Sequence, residues 1–328
     1  MNTIETMRAV LFEAPGRVRL VDDAPRPEME EGDVLIRCRY VGLCGSNVGP
    51  YLGDGRWAEV DWPPPVGWLG HENVGQIVAS RAEGWAPGTW VLTQPKDYNG
   101  FAEYIVAQAC ELARVPDDAP DKGAFVVAQP LATVLRALSR TRPPINLRCA
   151  VVGQGPIGLI FTHLLRRMGA AQVIGIDLVP WRLEWSRRLG ATDVVDAASE
   201  DVVGAVRDLT AGGLVDFCVE AGSTPEALIT AAYLPRHRGR LLVFGVPHSD
   251  LQLFPWHDTT NNETEIVLSR GPECTTFFQT AVDMIARGDT DLAELVTPRL
   301  PWERAPEAFE MYAHPAEHED ALKITLLL

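Results

Sequence analysis

The chain has 328 residues, with 29 lysines and arginines against 44 aspartates and glutamates, for a formal net charge of −15. That length suits two domains, and the absence of any long basic run argues against nucleic acid as a partner. No stretch reaches transmembrane length and the N-terminus has no apolar run of signal-peptide type, so a soluble cytoplasmic protein with no membrane partner is expected. The cysteines Cys38, Cys44, Cys110, Cys149, Cys218 and Cys274 form no CxxC pair and no disulfide framework.

Residues 1–122 read as all-β. Short apolar runs at Arg8–Phe12, Val18–Val21, Val34–Val41, Val74–Ala79, Thr89–Leu92 and Phe101–Ala107 are divided by the turns Ala14-Pro15-Gly16, Glu31-Gly32-Asp33 and Ala86-Pro87-Gly88, a barrel-like spacing. Ala124–Arg140 reads as a helix stopped by Thr141-Arg142-Pro143-Pro144. An alternating strand and helix pattern follows, with strands expected at Cys149–Val152, Val173–Ile176, Asp193–Val195, Val215–Val219, Arg240–Val246 and Ile266–Ser269. Thr275–Ala286 is a further helix, and Lys323–Leu328 a terminal strand-like run.

The stretch from Cys149 to Asp177 organises this second half. Cys149–Val152 gives way to Gly153-Gln154-Gly155-Pro156-Ile157-Gly158. Ile157, Ile160, Phe161, Leu164, Leu165 and Met168 then line one helical face, and Gly169 ends it. Gly153 allows the tight turn, Gly155 lets a pyrophosphate approach the backbone, and Gly158 lets the helix pack on the sheet. The phosphates are expected at the helix N-terminus, over Pro156 and Ile157. Strand, glycine turn, helix and an acid closing the next strand are the context a dinucleotide site requires. Asp177 accepts from ribose hydroxyls and repels a 2′-phosphate, so NAD is expected over NADP. Arg182 lies close enough in sequence to cover the adenosine end, where its charge blunts that discrimination.

A second constellation lies in the β-rich part. Gly42-Leu43-Cys44-Gly45-Ser46-Asn47 and Gly70-His71-Glu72-Asn73-Val74-Gly75 offer a thiolate, an imidazole and a carboxylate, all zinc donors. Each alone is more often packing than ligand. Together with the glycine turn, and with Gly100-Phe101-Ala102-Glu103-Tyr104, Pro130-Leu131-Ala132, Arg188-Leu189-Gly190-Ala191 and Lys323-Ile324-Thr325, they make the chain resemble the medium-chain dehydrogenase/reductase family. The zinc-containing alcohol and polyol dehydrogenases are the branch it is most similar to.

The resemblance implies an α/β protein with a GroES-like β-rich catalytic domain, residues 1–125 and 271–328, and a Rossmann doubly wound parallel-sheet domain, residues 126–270. It implies a zinc-assisted, NAD-dependent oxidation of a secondary alcohol, polyol- or cyclitol-like, or the reverse reaction. By that likeness Cys44 and His71 are catalytic zinc ligands, Glu72 is a ligand or lies beside the metal, and Ser46 bonds the substrate hydroxyl. A homodimer or homotetramer is implied as well. Phe244, Gly245 and Val246 end a sheet strand on the side where open α/β sheets bind ligands and are expected to line the cofactor, and Thr133 either contacts the nicotinamide or bonds its own helix backbone. Tyr51, Trp57 and Trp68 either wall a substrate pocket or pack a proline-rich loop.

The chain also departs from the family. The structural-zinc lobe with its clustered cysteines is missing, so no structural zinc is expected. Gln129 stands where polyol dehydrogenases carry a glutamate ligand, and its side-chain carbonyl is a neutral, weaker candidate ligand; Asn47 stands where a supporting acid stands, and Gly49 where a relay histidine often stands. Two of these changes remove negative charge near the metal, which weakens zinc binding. Two further readings therefore stay open: a zinc-free enoyl, quinone or ketone reductase, and a non-catalytic nucleotide-binding protein.

Overall fold

The computed structural model describes residues 6–246 and 254–328, with the side chains of Arg56 and Ala58 left outside. The chain forms two compact units, residues 1–132 with 272–328, and residues 133–271. The division falls inside the helix Ala128–Ser139 rather than ahead of it. The segment before that helix, Lys122–Val127, is a 3-10 turn, with the Asp121 carboxylate accepting from the Gly123 N–H at 3.0 Å.

In the first unit β1 (Thr6–Ala14) and β2 (Arg17–Pro25) pair as an antiparallel hairpin. Then come β3 (Asp33–Gly42), the short helix α1 (Val48–Leu52), β4 (Asn73–Ser80), β5 (Trp90–Thr93), β6 (Tyr104–Gln108) and β7 (Leu112–Arg114). The strand at β6 starts later than the apolar run suggests. Phe101 and Glu103 donate their N–H groups to Gly67 and Arg8, at 3.0 and 2.8 Å, and so are spent on loop contacts.

The second unit holds α2 (Ala128–Ser139, continuous across the division) and the strands β8 (Arg148–Val152), β9 (Gln172–Asp177), β10 (Asp193–Asp196), β11 (Val215–Glu220), β12 (Pro235–Val243) and β13 (Glu265–Leu268). Between them run α3 (Pro156–Arg167), α4 (Pro180–Arg188), α5 (Val202–Leu209), α6 (Pro225–Ala232) and α7 (Trp256–Asn261). All strand pairs are parallel, in the order β10-β9-β8-β11-β12-β13. This is the doubly wound order, which places ligands beyond the carboxyl ends of the strands. β12 begins and ends earlier than its apolar run, because the Phe244 and Gly245 N–H groups turn away to the Glu220 carbonyl, at 3.0 and 3.1 Å.

The chain then returns to the first unit with α8 (Cys274–Ala286), β14 (Arg299–Pro301), α9 (Ala305–Ala313) and β15 (Thr325–Leu327). β15 pairs antiparallel with β3, so the C-terminus closes the β-rich sheet beside Gly42 and Leu43. Phe12, Ile36, Ile77, Phe101 and Ile324 share that unit's core. Among the described residues no helix is long and apolar enough to cross a membrane.

Candidate active site

Cys44 ends the loop after β3, in extended backbone, and caps the 3-10 turn Gly45–Asn47. His71 and Glu72 enter β4 from the other side. Their donor atoms and the Cys44 sulfur all lie within 4.8 Å of one another. Two close approaches at glycines allow this. A Cβ on Gly70 would lie 2.2 Å from the Phe101 nitrogen, and one on Gly42 would lie 2.5 Å from both the Glu72 Oε2 and the Val126 Cγ1.

Three hydrogen bonds aim the sulfur and the imidazole. The Cys44 N–H donates to Asn47 Oδ1 at 2.8 Å, and Asn47 Nδ2 donates to the Leu69 carbonyl at 2.9 Å. The same carbonyl lies 2.7 Å from His71 Nδ1. A carbonyl only accepts, so Nδ1 carries a proton and Nε2 is the nitrogen left to face a ligand. Leu69 takes a φ of 59°, a left-handed backbone that few residues adopt outside functional sites and tight turns.

Burial and the Glu72 charge push the Cys44 thiol up, but the His71 charge, its hydrogen bond and Lys323 draw it below 9.0. Burial pulls His71 down, but Cys44 and Glu72 carry it up to about 9. The pair thus leans toward thiolate and imidazolium: the thiolate is the form that binds metal, and a metal on Nε2 would displace the proton there. Glu72 is wholly buried, and both its oxygens accept from Lys323 Nζ, at 2.9 and 2.8 Å. Lys323 also donates to the Leu43 carbonyl at 2.8 Å. Burial alone would lower its pKa, but Glu72 holds it above the ordinary lysine range. A sulfur, a nitrogen and a carboxylate oxygen on one face are a donor set suited to zinc with positions left open.

The glycine turn is built on the second unit. Gly153 has a φ of 90°, and a Cβ there would lie 2.7 Å from the Gly222 nitrogen. A Cβ on Gly158 would fall 1.7 Å from the Gly153 carbonyl oxygen, so helix and turn meet there. Gly155 differs: only Arg182 Nη1, at 4.0 Å, comes near its absent Cβ. Packing leaves that space open, and Gly155 caps α3 with no side-chain bond to its first N–H groups. Open space beside free helix N–H groups fits a pyrophosphate. Asp177 takes the Gln154 N–H on Oδ2 at 2.5 Å and the Val179 N–H on Oδ1 at 2.9 Å, with Arg182 Nη1 at 4.0 Å. The buried Arg182 Nε has no hydrogen-bond partner among the described residues.

The zinc-binding dehydrogenase family model matches residues 156–287, and the alcohol dehydrogenase GroES-like domain matches residues 30–117. The chain belongs to the zinc-type alcohol dehydrogenase family. It is 27% identical to an erythritol/L-threitol dehydrogenase of Mycolicibacterium smegmatis over 363 residues, covering 98% of each chain. An uncharacterised zinc-type alcohol dehydrogenase-like protein of Haemophilus influenzae is also 27% identical, over 350 residues and 98% of each. A solved alcohol dehydrogenase from Thermus sp. ATN1 superposes with a TM-score of 0.84 at 26% identity, covering 98% of this chain and 99% of that one.

In this dehydrogenase the family departures have visible consequences. Asn47 does more than lack a charge: its amide donates to Leu69 and accepts from Cys44, two bonds that a carboxylate could not both make. Removing them by Asn47→Ala is expected to weaken zinc binding about 10–100-fold, the usual cost of losing a partner behind a ligand. Competition with a chromophoric chelator measures this, and unchanged affinity would strip Asn47 of the role. Gln129 is 4% exposed and opens α2, just past Val126, which lies against Gly42. Ser46 is exposed in the turn after Cys44. Thr133 is buried on α2, and Phe244, Gly245 and Val246 leave β12 at its carboxyl end.

Tyr51 is a correction to the pocket reading. Its ring is 3% exposed against Phe309, and its hydroxyl bonds Gly16 and Glu310, so it serves the core. Trp57 and Trp62 both meet Trp68 edge-on, and Trp68 meets Phe12. These aromatics pack the proline-rich loop on the barrel.

Residue patterns alone gave no role to Lys323, Leu69 or the Glu220 carboxylate. Lys323 carried a signal, as the one charge in the apolar ending Leu322–Leu328. Glu220 holds the Gly222, Ser223 and Gly245 N–H groups at 2.7, 2.8 and 3.1 Å, tying β11 to the end of β12. Nothing in sequence marks Leu69.

Proposed function

We propose that this dehydrogenase oxidises a secondary alcohol of polyol type with NAD, or runs that reaction in reverse, and that zinc held by Cys44, His71 and Glu72 assists it. The observation that carries the reading is the convergence of a thiolate, an Nδ1-anchored imidazole and a carboxylate in one loop cluster. The erythritol/L-threitol dehydrogenase relative supports a polyol as substrate.

Bound there, zinc supplies a Lewis acid that lowers the pKa of an alcohol hydroxyl, and NAD supplies the hydride acceptor. Cys44 and His71 carry the strong donors. Glu72 contributes a carboxylate whose charge Lys323 already balances, which makes it the weaker partner. Ser46, exposed beside Cys44, is placed to take the hydroxyl proton toward solvent. The Gly153–Gly158 turn and the first N–H groups of α3 hold the pyrophosphate.

Zinc content of protein purified without chelator, followed by NADH formation on a panel of polyols and secondary alcohols, tests the reading. About one zinc per chain with chelator-sensitive turnover is expected. Turnover of conjugated ketones that survives chelation, with no zinc taken up, would replace it by the zinc-free reductase. Dinucleotide binding without turnover on any alcohol or ketone would replace it by a non-catalytic role.

Asp177 supports NAD over NADP, because a 2′-phosphate would meet its buried carboxylate. Asp177→Ala is expected to move the ratio of KM for NADP to KM for NAD toward equality, by about tenfold. The ratio is the right readout, since loss of the Gln154 and Val179 bonds damages the turn for both cofactors alike. An unmoved ratio removes the assignment.

A further inference from the structure

Two loops of the first unit meet at His71, and each carries a residue in left-handed backbone. One is Leu69; the other is Tyr98, in the loop after β5, with a φ of 56°. Bulky side chains seldom take that conformation, and such strain gathers at functional sites. The Tyr98 loop is fastened on both sides. The Tyr98 N–H donates to the Pro95 carbonyl at 3.1 Å and closes a turn. Asn99 bridges to Gly70, and the Gly100 N–H donates to the Gly70 carbonyl at 3.0 Å. Asn73 Nδ2 donates to the Gly100 carbonyl at 2.8 Å. Tyr98 is therefore tied to the residues that flank His71 and Glu72.

The side chain stands beside a metal donor. The Tyr98 and His71 rings have centroids 6.1 Å apart, inclined at 60°. Tyr98 is 46% exposed, so core burial does not account for its position. Gln94, buried under it, donates its Nε2 to the Tyr98 hydroxyl oxygen at 3.0 Å. That bond aims the hydroxyl and uses one lone pair, leaving the O–H proton with no acceptor among the described residues. Tyr98 thus offers a ligand an apolar ring ending in an oriented donor. Tyr51, Trp57 and Trp68 are spent on packing; Tyr98 is not.

We propose that Tyr98 determines specificity in this dehydrogenase: its hydroxyl donates to a second hydroxyl of a polyol, next to the one that reacts, and its ring covers the adjoining C–H groups. A polyol alternates C–H and O–H along its chain, which matches ring and tip. A placed donor favours the substrate that accepts from it over one that lacks the acceptor. The proposal rests on the alcohol-oxidising reading and adds to it a preference for vicinal diols over simple secondary alcohols.

The test compares kcat/KM for 2,3-butanediol with kcat/KM for 2-butanol, in the parent and in Tyr98→Phe, which keeps the ring and removes only the hydroxyl. The ratio is expected to favour the diol in the parent and to fall by about fivefold to tenfold in the variant, the effect of one lost hydrogen bond. The ratio is the readout because a merely structural role beside His71 would lower both values alike. A second measurement needs no turnover: erythritol is titrated calorimetrically into the protein saturated with NADH, where no hydride acceptor is present. Its affinity is expected to fall by the same factor in Tyr98→Phe. Parent turnover of both alcohols with the ratio unmoved in Tyr98→Phe overturns the proposal and leaves the zinc-assisted reading standing. No parent turnover of either alcohol defeats that reading instead, and the erythritol titration then decides. Weaker binding in Tyr98→Phe supports the role of Tyr98; equal binding, or none in the parent, overturns it.

Discussion

Lys323→Met is expected to lower folding stability by about 3–5 kcal/mol, the cost of leaving one partner of a buried ion pair uncompensated. The cation is 1% exposed, the Glu72 carboxylate 0%, and the two are joined by bonds of 2.9 and 2.8 Å. A third bond, to the Leu43 carbonyl, is lost with them, directly beside Cys44. The double variant Glu72→Gln with Lys323→Met is expected to recover much of the loss, because removing both charges also removes their desolvation cost. Urea unfolding followed by tryptophan fluorescence measures the cycle. A Lys323→Met protein as stable as the parent, or a double variant no better than the single, would show that the pair is not a stabilising unit.

Cys44→Ser and His71→Ala are each expected to abolish turnover and to weaken zinc binding by more than about 100-fold. Partners one shell further out cost 10–100-fold when removed, and a direct donor must cost more. Dinucleotide affinity is expected to be unchanged, since Gly153, Gly155, Gly158 and Asp177 belong to the other unit. Zinc content, chelator competition and NAD titration give the three readouts. Full activity in both variants would sink the metal-assisted mechanism, whereas loss of NAD binding along with activity would signal general unfolding.

The glycine turn was the most legible part of the chain, because everything it needs is local. A strand period of two, a helix period near 3.6 and the three glycines all lie within Cys149–Asp177. The structure gives each glycine its own physical reason, with two closed by backbone contact and Gly155 left open. The grouping of Cys44, His71 and Glu72 was legible only as motif. Spacing places each on a loop, and tertiary packing across β3 and β4 brings the donors together.

Other features were beyond one-dimensional reading. Asn47 in sequence is an acid lost from the metal's surroundings; in three dimensions it is the amide that joins the Cys44 loop to the Leu69 carbonyl behind His71. Tyr51 reads equally as pocket wall or as packing until Gly16 and Glu310 claim its hydroxyl. Sequence alone therefore determined the fold class and the residue types that carry the chemistry, because apolar period and glycine turns act over a few residues. Tertiary structure alone decided that Lys323, 251 residues from Glu72, neutralises it. The physical reason is that a buried charge must find its partner wherever the fold, and not the sequence, brings one within reach.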